Sequence, residues 1–190
     1  MVRLGVGVAC VLAWMLCATA DARPASTGFF AEGGLDAVTF LPSAKRDAAT
    51  GPGLTIRVGR DLFSWLSIGG YVAASTHEAT VPPPPTGQYF QLYRAGGDGR
   101  VSVPVGPASL FVEGGFGASM ISSNVLDQVM ITKPGKHFSA TIHGGLGGEY
   151  QLENRHYAVG LALDGFIEPE FSSMKAIEAR LFLRYTYGGG

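Results

Sequence analysis

Apolar and polar residues alternate along the C-terminal part of the chain. Between Ile177 and Tyr187 the odd-numbered positions are apolar or aromatic, whereas Glu178, Arg180 and Arg184 occupy even-numbered positions. Because successive side chains of a β-strand point to opposite faces, this segment predicts a strand with one apolar face and one charged face.

The same alternation recurs along the chain and predicts eight strands. Alternating segments of about 10 residues are typical of membrane-spanning barrels, in which the apolar row faces lipid and the polar row faces the lumen. We therefore predict an all-β fold: an eight-stranded antiparallel up-and-down transmembrane β-barrel, with both ends of the chain on one side. The predicted strands cover residues 27–41, 53–60, 64–76, 87–103, 108–121, 137–151, 156–167 and 176–187.

The predicted connections alternate in length, as do the short periplasmic turns and longer external loops of outer-membrane barrels. A run of prolines from Pro82 to Pro85 falls in a long connection, where we interpret it as a stiff spacer and keep a short recognition motif as the alternative. The short turns are predicted at 60–62, 105–107 and 153–155, and the long segments at 42–52, 77–87, 122–136 and 168–176.

The N-terminal segment has the features of a secretory signal peptide. Arg3 precedes an apolar run that extends from Leu4 to Cys17, and small residues follow it up to Ala22. The run is shorter than the roughly 20 residues of a membrane-spanning helix. We therefore predict a cleaved signal peptide over residues 1–22 and a barrel over residues 23–190. Both cysteines, Cys10 and Cys17, lie in the signal peptide, so no cysteine chemistry is predicted for the mature chain.

Charge and composition exclude several classes of function. The chain has 14 lysines and arginines, 15 aspartates and glutamates, and no strongly basic run, so nucleic acid is not a predicted partner. No histidine cluster has the spacing of a zinc site, and the glycine-rich segment Gly144 to Gly148 lies inside a predicted strand rather than before a helix. We predict no metal, no cofactor and no catalytic residues.

The lumen-facing positions carry charges of both signs. An eight-stranded barrel is only wide enough for side chains to fill its interior, so these groups are expected to form a network of salt bridges that plugs the lumen. The alternative is a gated ion path in which an arginine changes its carboxylate partner. The predicted lumen charge network consists of Glu32, Asp36, Arg57, Arg94, Asp98, Arg100, Glu113, His143, Glu149, Asp164, Glu178, Arg180 and Arg184.

Aromatic residues cluster near the ends of the predicted strands. Amphipathic rings prefer the headgroup level of a membrane, so Trp65, Tyr89, Tyr93, Tyr150 and Tyr157 are predicted to form membrane girdles. The alternative is the ordinary enrichment of aromatic residues in strands.

The signal peptide, the alternating strands and the unequal loops together resemble the small eight-stranded outer-membrane β-barrel family, which includes the outer-membrane-protein-A-like and opacity-protein-like surface barrels. In the last strand, Leu181, Leu183, Tyr185 and Tyr187 look like the signal read by the outer-membrane assembly machinery. Family members usually end on the aromatic residue, whereas three glycines follow it here. The resemblance implies a location in the bacterial outer membrane and contact with its lipid, including lipopolysaccharide.

One motif resembles that of the lipid A deacylases, which are barrels of similar size with a histidine and a serine two residues apart. His137 and Ser139 match this spacing, but Ala140 and Thr141 follow where that family continues with asparagine. Strand alternation also turns both residues inward. We therefore predict a non-enzymatic protein and keep the deacylase as a minor alternative.

The predicted function is a structural or surface-interaction role, in which external loops are displayed on a plugged barrel and could bind another envelope or surface protein. The alternative is a narrow outer-membrane pore or transporter for small solutes. A soluble lipocalin-like barrel is a further alternative, although it would require the apolar row to face inward. The predicted loops carry a mixed set of residues, namely Lys45, Arg46, Asp47, His77, Glu78, Asp127, Lys133, Lys136, Met174 and Lys175.

Overall fold

The computed structural model describes residues 28–41, 48–78, 89–122, 137–153, 156–171 and 174–188. They form a closed barrel of eight strands in which each strand pairs antiparallel with the next and the first pairs with the last, as predicted. The strands are β1 (Gly28–Phe40), β2 (Gly51–Phe63), β3 (Leu66–Glu78), β4 (Tyr89–Val105), β5 (Ala108–Ile121), β6 (Phe138–Gln151), β7 (Tyr157–Glu168) and β8 (Met174–Gly188).

Strand alternation divides the side chains between the two faces of the wall. The exterior carries large apolar residues such as Leu35 and Leu161, each 64% exposed, whereas charged residues such as Arg57 and Glu178 are 2% exposed in the interior. A continuous apolar exterior around a closed barrel matches lipid rather than water. The structure is therefore a transmembrane β-barrel, and the lipocalin-like alternative, which requires an apolar interior row, is wrong.

The barrel has two distinct ends. At one end, called here the turn end, residues 64–65, 106–107 and 152–156 connect the strands, and β1 begins beside the end of β8. At the other, called here the loop end, residues 41–50, 79–88, 122–137 and 169–173 connect them. The last of these has five residues, which is shorter than the predicted segment 168–176, because β7 and β8 both extend farther than their alternation indicates.

The first turn differs from its predicted position. It was predicted at residues 60–62, but β2 continues to Phe63 and the turn lies at Ser64 and Trp65. A bulge between Asp61 and Phe63 shifts the register there and interrupts the alternation that marks a strand in the sequence. At the second turn Gly106 has φ +62°, a left-handed conformation that glycine adopts without strain.

Glycines inside the strands make room for aromatic rings in the lumen. A Cβ atom at Gly160 would overlap the ring of Phe182, and one at Gly147 would overlap the ring of Phe111. Both glycines face inward on strands next to the ring that they accommodate. The narrow barrel thus holds large side chains because the residue beside each ring on the neighbouring strand has no side chain.

Two residues predicted to lie in loops belong to strands. His77 is an inward-facing residue of β3, and Met174 is an inward-facing residue of β8; both are almost completely buried. They lie at the loop end, where the outward neighbours Thr76, Glu78 and Lys175 are polar, so the contrast between a polar inner face and an apolar outer face is lost. The alternation therefore vanishes at these strand ends, and sequence alone does not mark them as strands.

Several predictions lie outside the described residues. These are the signal peptide, the proline run and the loop residues Lys45, Arg46, Asp47, Asp127, Lys133 and Lys136. Within the described ranges, no helix has the length and hydropathy required for a membrane span.

Candidate functional site: the charged lumen

The lumen is filled by charged side chains from seven of the eight strands, and β3 contributes uncharged polar and aromatic residues. Among the described residues, five arginines and nine carboxylates face it. The carboxylates therefore exceed the guanidinium groups by four. The arginines are Arg57, Arg94, Arg100, Arg180 and Arg184, and the carboxylates are Glu32, Asp36, Asp61, Asp98, Glu113, Glu149, Asp164, Glu168 and Glu178.

Glu113 of β5 is at the centre of the network. One of its carboxylate oxygens, Oε2, lies 2.8 Å from Nη1 of Arg57 and 2.9 Å from both Nε and Nη2 of Arg100. The other, Oε1, accepts a hydrogen bond from Arg180. Because the three arginines belong to β2, β4 and β8, a single carboxylate joins strands from opposite sides of the barrel.

Glu32 of β1 binds the same three arginines from another side. Its carboxylate lies 3.3 Å from Arg57, 3.1 Å from Arg100 and 3.9 Å from Arg180. Two carboxylates and three guanidinium groups thus form a closed cluster across the lumen, called here the central cluster. Ion pairs from the walls extend it, with Asp98 at 2.8 Å from Arg57 and Glu149 at 3.4 Å from Arg100.

Aromatic rings cover the arginines. The guanidinium carbon of Arg94 lies 4.0 Å from the ring centroid of Phe166, and that of Arg100 lies 4.0 Å from the centroid of Phe111. Arg184 lies 3.9 Å from the centroid of Phe30. Desolvated cation–π contacts of this kind help to offset the loss of water around a buried guanidinium group.

Toward the turn end, the charge network continues as a smaller group of polar residues around Asp61. There Arg184 and Ser67 both bind the carboxylate of Asp61, the serine at 2.5 Å. Asp61 was not among the predicted lumen residues, because the predicted strand ended one residue before it. The bulge beside Asp61 explains why the alternation did not mark it.

At the loop end the lumen is closed by apolar side chains, called here the apolar cap. The cap lies beyond the ion pair of Arg94 with Glu178, and it includes His77, whose ring stacks between Phe40 and Phe90 at centroid distances of 4.6 and 5.3 Å. Sequence reasoning missed the cap because its residues look like an ordinary apolar strand end. Besides His77, the cap consists of Val38, Phe40, Ala48, Phe90, Leu92, Ile121, Phe166, Phe171, Met174 and Ala176.

Glu168 lies at the cap side of the lumen and is fully buried. Among the described residues, Ser119 and Arg94 are its polar neighbours, but neither forms a hydrogen bond of standard geometry with its carboxylate oxygens. It too was missed, because it follows the last residue of its predicted strand. A buried carboxylate whose hydrogen bonds are incomplete is costly and marks a position at which the interior is not optimised for stability.

A small polar cavity lies between the central cluster and the cap. Its volume, measured as the space open to the centre of a water molecule, is about 10 Å³, which is close to the minimum for one water. Within the described part of the chain, the hydroxyl of Tyr71, Nδ1 of His143 and both carboxylate oxygens of Asp164 line or face this region without a hydrogen-bond partner. Asp164 does form an ion pair with Arg180 at 3.4 Å.

The structure places every residue of the predicted lumen network on the inner face of the wall. It brings most of them into ion pairs, whereas His143 contacts the ring of Tyr71 at a centroid distance of 4.9 Å. Asp36 accepts a hydrogen bond of 2.7 Å from Thr55. Breaking one of the buried ion pairs would leave an uncompensated charge in the lumen. The network therefore holds the interior in one arrangement.

The aromatic residues predicted as girdles face outward near the two ends. Trp65, Tyr150 and Tyr157 lie at the turn end, and Tyr89 and Tyr93 lie toward the loop end. The ring of Trp65 stacks on that of Phe63 at a centroid distance of 5.5 Å. Tyr185 and Tyr187 of the last strand add to the turn end, where Tyr157 contacts Tyr185 at 5.0 Å.

The structure turns Ser139 of the His137 and Ser139 pair into the lumen. Its hydroxyl donates to the carbonyl of Ala140 at 2.8 Å and accepts from the amide of Glu170 at 3.1 Å. Phe138 lies between His137 and Ser139 in the sequence, and its side chain faces the membrane. This geometry directs the serine away from a lipid substrate.

Comparison with known proteins identifies the fold and not a sequence relative. No family model matches the chain, and no curated protein gives a significant match. Neisserial surface protein A aligns with 84% of this chain and 97% of its own, at 12% identity and a TM-score of 0.62. The outer membrane protein OprG from Pseudomonas aeruginosa aligns over 89% and 100%, at 13% identity and a TM-score of 0.59.

Both structures share the fold of this chain over most of their length. The architecture, the strand number and the separation of apolar and charged faces are common to the prediction and the structure. The chain therefore has the fold of the small eight-stranded outer-membrane β-barrels.

Proposed function

We propose that this chain is an integral protein of a bacterial outer membrane with a structural or surface-interaction role, in which a filled and rigid barrel presents its loop end to the outside. The observation that carries the proposal is the central cluster. A protein that moves solutes needs a path, whereas Glu113 and three arginines from three strands meet in the middle of this lumen.

The apolar cap supports the same function. Phe40, Phe90 and Phe171 are at most 1% exposed, so water does not reach the lumen past them from the loop end. Ion pairs in the middle and aromatic packing at the loop end thus fill successive sections of the lumen. Such a barrel supports the loops at its loop end. We infer that these loops bind another protein of the envelope or of another surface.

Planar-bilayer conductance of the refolded mature chain tests the filled lumen. A heat-modifiability gel on the same sample shows whether a barrel has formed. We expect a folded barrel without discrete conductance steps. Reproducible steps from a folded sample would contradict the proposal and favour transport.

Cysteine labelling tests location and orientation. Both native cysteines lie in the predicted signal peptide, so one introduced cysteine would be the only thiol of the mature chain. Glu78→Cys lies at the loop end and Glu153→Cys at the turn end, and both positions are exposed. We expect a membrane-impermeant maleimide to label intact cells that carry Glu78→Cys and to leave Glu153→Cys unlabelled until the outer membrane is opened. The reverse pattern would place the loops in the periplasm.

A narrow pore is the second candidate, and the polar cavity favours it. The cavity is lined by Tyr71, His143 and Asp164, and the surrounding interior has more carboxylates than guanidinium groups. A path that opened through it would favour cations. Opening would require the cap to move, so Phe90→Ala with Phe171→Ala should produce cation-selective steps, measured by the reversal potential in a KCl gradient. A doubly substituted barrel that stays closed would count against the pore.

We also propose that Leu181, Leu183, Tyr185 and Tyr187 form the signal recognised by the assembly machinery. In the folded barrel these residues face lipid along β8, and Tyr187 pairs with Phe29 where the last strand meets the first. A row of apolar and aromatic side chains is accessible on this strand before the barrel closes.

A further inference from the structure

A groove of about 630 Å³ lies over β2 to β6 on the lipid-facing surface, and two smaller grooves are similar to each other in size. The first of these two, of about 410 Å³, lies over β6, β7 and β8 toward the loop end, and the second, of about 420 Å³, lies over β8, β1 and β2. In the first, Gly144 and Gly165 pair across neighbouring strands and form the floor, and Ile142, Ile167 and Ile177 form the walls. The walls are exposed, so the groove is open to lipid.

The glycines of this floor are not required by packing inside the barrel. A Cβ atom at Gly165 would come no closer than 3.9 Å to the atoms around it, and one at Gly144 no closer than 3.6 Å. These are ordinary contact distances, in contrast to the overlap that a Cβ would cause at Gly160. The missing side chains therefore leave space on the outside of the wall and not in the lumen.

A lysine lines the same groove at its loop side. Lys175 is exposed, and its neighbours Met174 and Ala176 point into the lumen, so the Lys175 side chain points toward lipid. Among the described residues, the only other lysine or arginine outside the lumen is Arg60, which lies near the turn end. The second groove has no charged residue in its lining, which includes Gly33, Leu54 and Leu181.

We propose that the first groove binds lipopolysaccharide, with a lipid A phosphate on Lys175 and an acyl chain over Gly144 and Gly165. The inference rests on the proposed orientation, which places the loop end in the outer leaflet. A lysine extends its apolar stem along the wall and its ammonium group to the headgroup level, where it attracts anionic lipid. The ammonium group of Lys175 thus matches the phosphate of lipid A, and the groove over Gly144 and Gly165 matches one of its acyl chains.

The test uses the refolded mature chain in detergent and hexa-acylated bisphosphorylated lipid A, with bound lipid measured by native mass spectrometry. A basic residue near anionic lipid contributes enough that Lys175→Gln should weaken binding about fivefold, while Lys175→Arg should keep it. Gly165→Leu fills the floor and should reduce binding at least as much. Gly33→Leu in the other groove, where an added Cβ atom meets no atom within 4 Å, is the matched control and should leave binding unchanged.

Three results would overturn the site. They are unchanged binding to Lys175→Gln, an equal loss with Gly33→Leu, and displacement of lipid A by phosphatidylglycerol at equal concentration, which would mean that any phosphate suffices. A heat-modifiability gel confirms folding for each variant. Failure to form a barrel, or a loop end that is labelled only from the periplasm, would refute the proposed function instead, so the two failures are distinguishable.

Discussion

At the level of single residues, Glu113 shows how one side chain can join several strands. Its carboxylate binds Arg57, Arg100 and Arg180, and all four residues are buried. The desolvation of such groups is costly, and it is offset only while every partner is present. Loss of the central carboxylate would leave three guanidinium groups around a neutral side chain.

We therefore expect Glu113→Gln to destabilise the barrel by about 3–5 kcal/mol, the usual cost of breaking a buried ion pair. The measurement is urea-induced unfolding in phospholipid vesicles, followed by the fluorescence of Trp65, because the other tryptophan, Trp14, lies in the predicted signal peptide. Glu153→Gln, at an exposed position of the turn end, is the control. Equal stability of the two variants would show that the central cluster contributes little.

A second prediction at the scale of single residues concerns the stability of the Gly160→Ala variant. Gly160→Ala places a methyl group against the ring of Phe182, and overpacking in a tight interior costs about 1–3 kcal/mol. Gly33→Ala adds the same group to an open position of the wall and should cost less. Similar unfolding curves for the two variants would mean that the Phe182 ring moves without cost.

At the level of strands, sequence alternation is informative only where the two faces differ. In the middle of each strand, polar inward and apolar outward residues alternate, and strand parity was sufficient to indicate the inner side for residues such as Arg100 and Glu178. At the loop end the inner face includes the apolar cap residues and the outer face includes polar residues such as Thr76 and Lys175, so the pattern disappears. His77 and Met174 were therefore placed in loops, and Glu168 was missed because it follows the end of its predicted strand.

The apolar cap, built from the loop-side ends of several strands, is expected to contribute strongly to stability. Truncating a buried aromatic residue costs about 3–5 kcal/mol, so Phe90→Ala should lower the free energy of unfolding by this amount. Phe138→Ala removes the same ring from the lipid-facing side, where it is 65% exposed, and should cost less. Urea unfolding in vesicles compares the two, and a larger effect at Phe138 would contradict the importance of the cap.

At the level of the whole molecule, the eight-stranded architecture could be predicted because it repeats, whereas the partners inside the lumen could not. Glu113 and Arg180 are far apart in the sequence, and they meet because closure of the barrel brings β5 and β8 across from each other. Such contacts depend on the stagger of all the strands. The sequence shows which charges face inward and does not show which of them pair.

Assembly of the whole barrel provides the last prediction. Tyr187→Ala should reduce the amount of heat-modifiable barrel in cell membranes, while refolding of the purified chain into detergent is unchanged, because the proposed signal acts through the machinery. Tyr150→Ala removes another exposed tyrosine of the turn end and is the control. An equal reduction in both variants would indicate a general requirement for aromatic residues at the membrane surface.

The apolar cap also has a consequence for the rate of unfolding. Its residues come from both ends of the chain, with Val38 and Phe40 on β1 and Met174 and Ala176 on β8. It can therefore be completed only after the first and last strands have joined, late in folding. Contacts that form after the rate-limiting step slow unfolding more than they speed folding. We therefore expect the cap to slow unfolding and so to prolong the lifetime of the closed barrel.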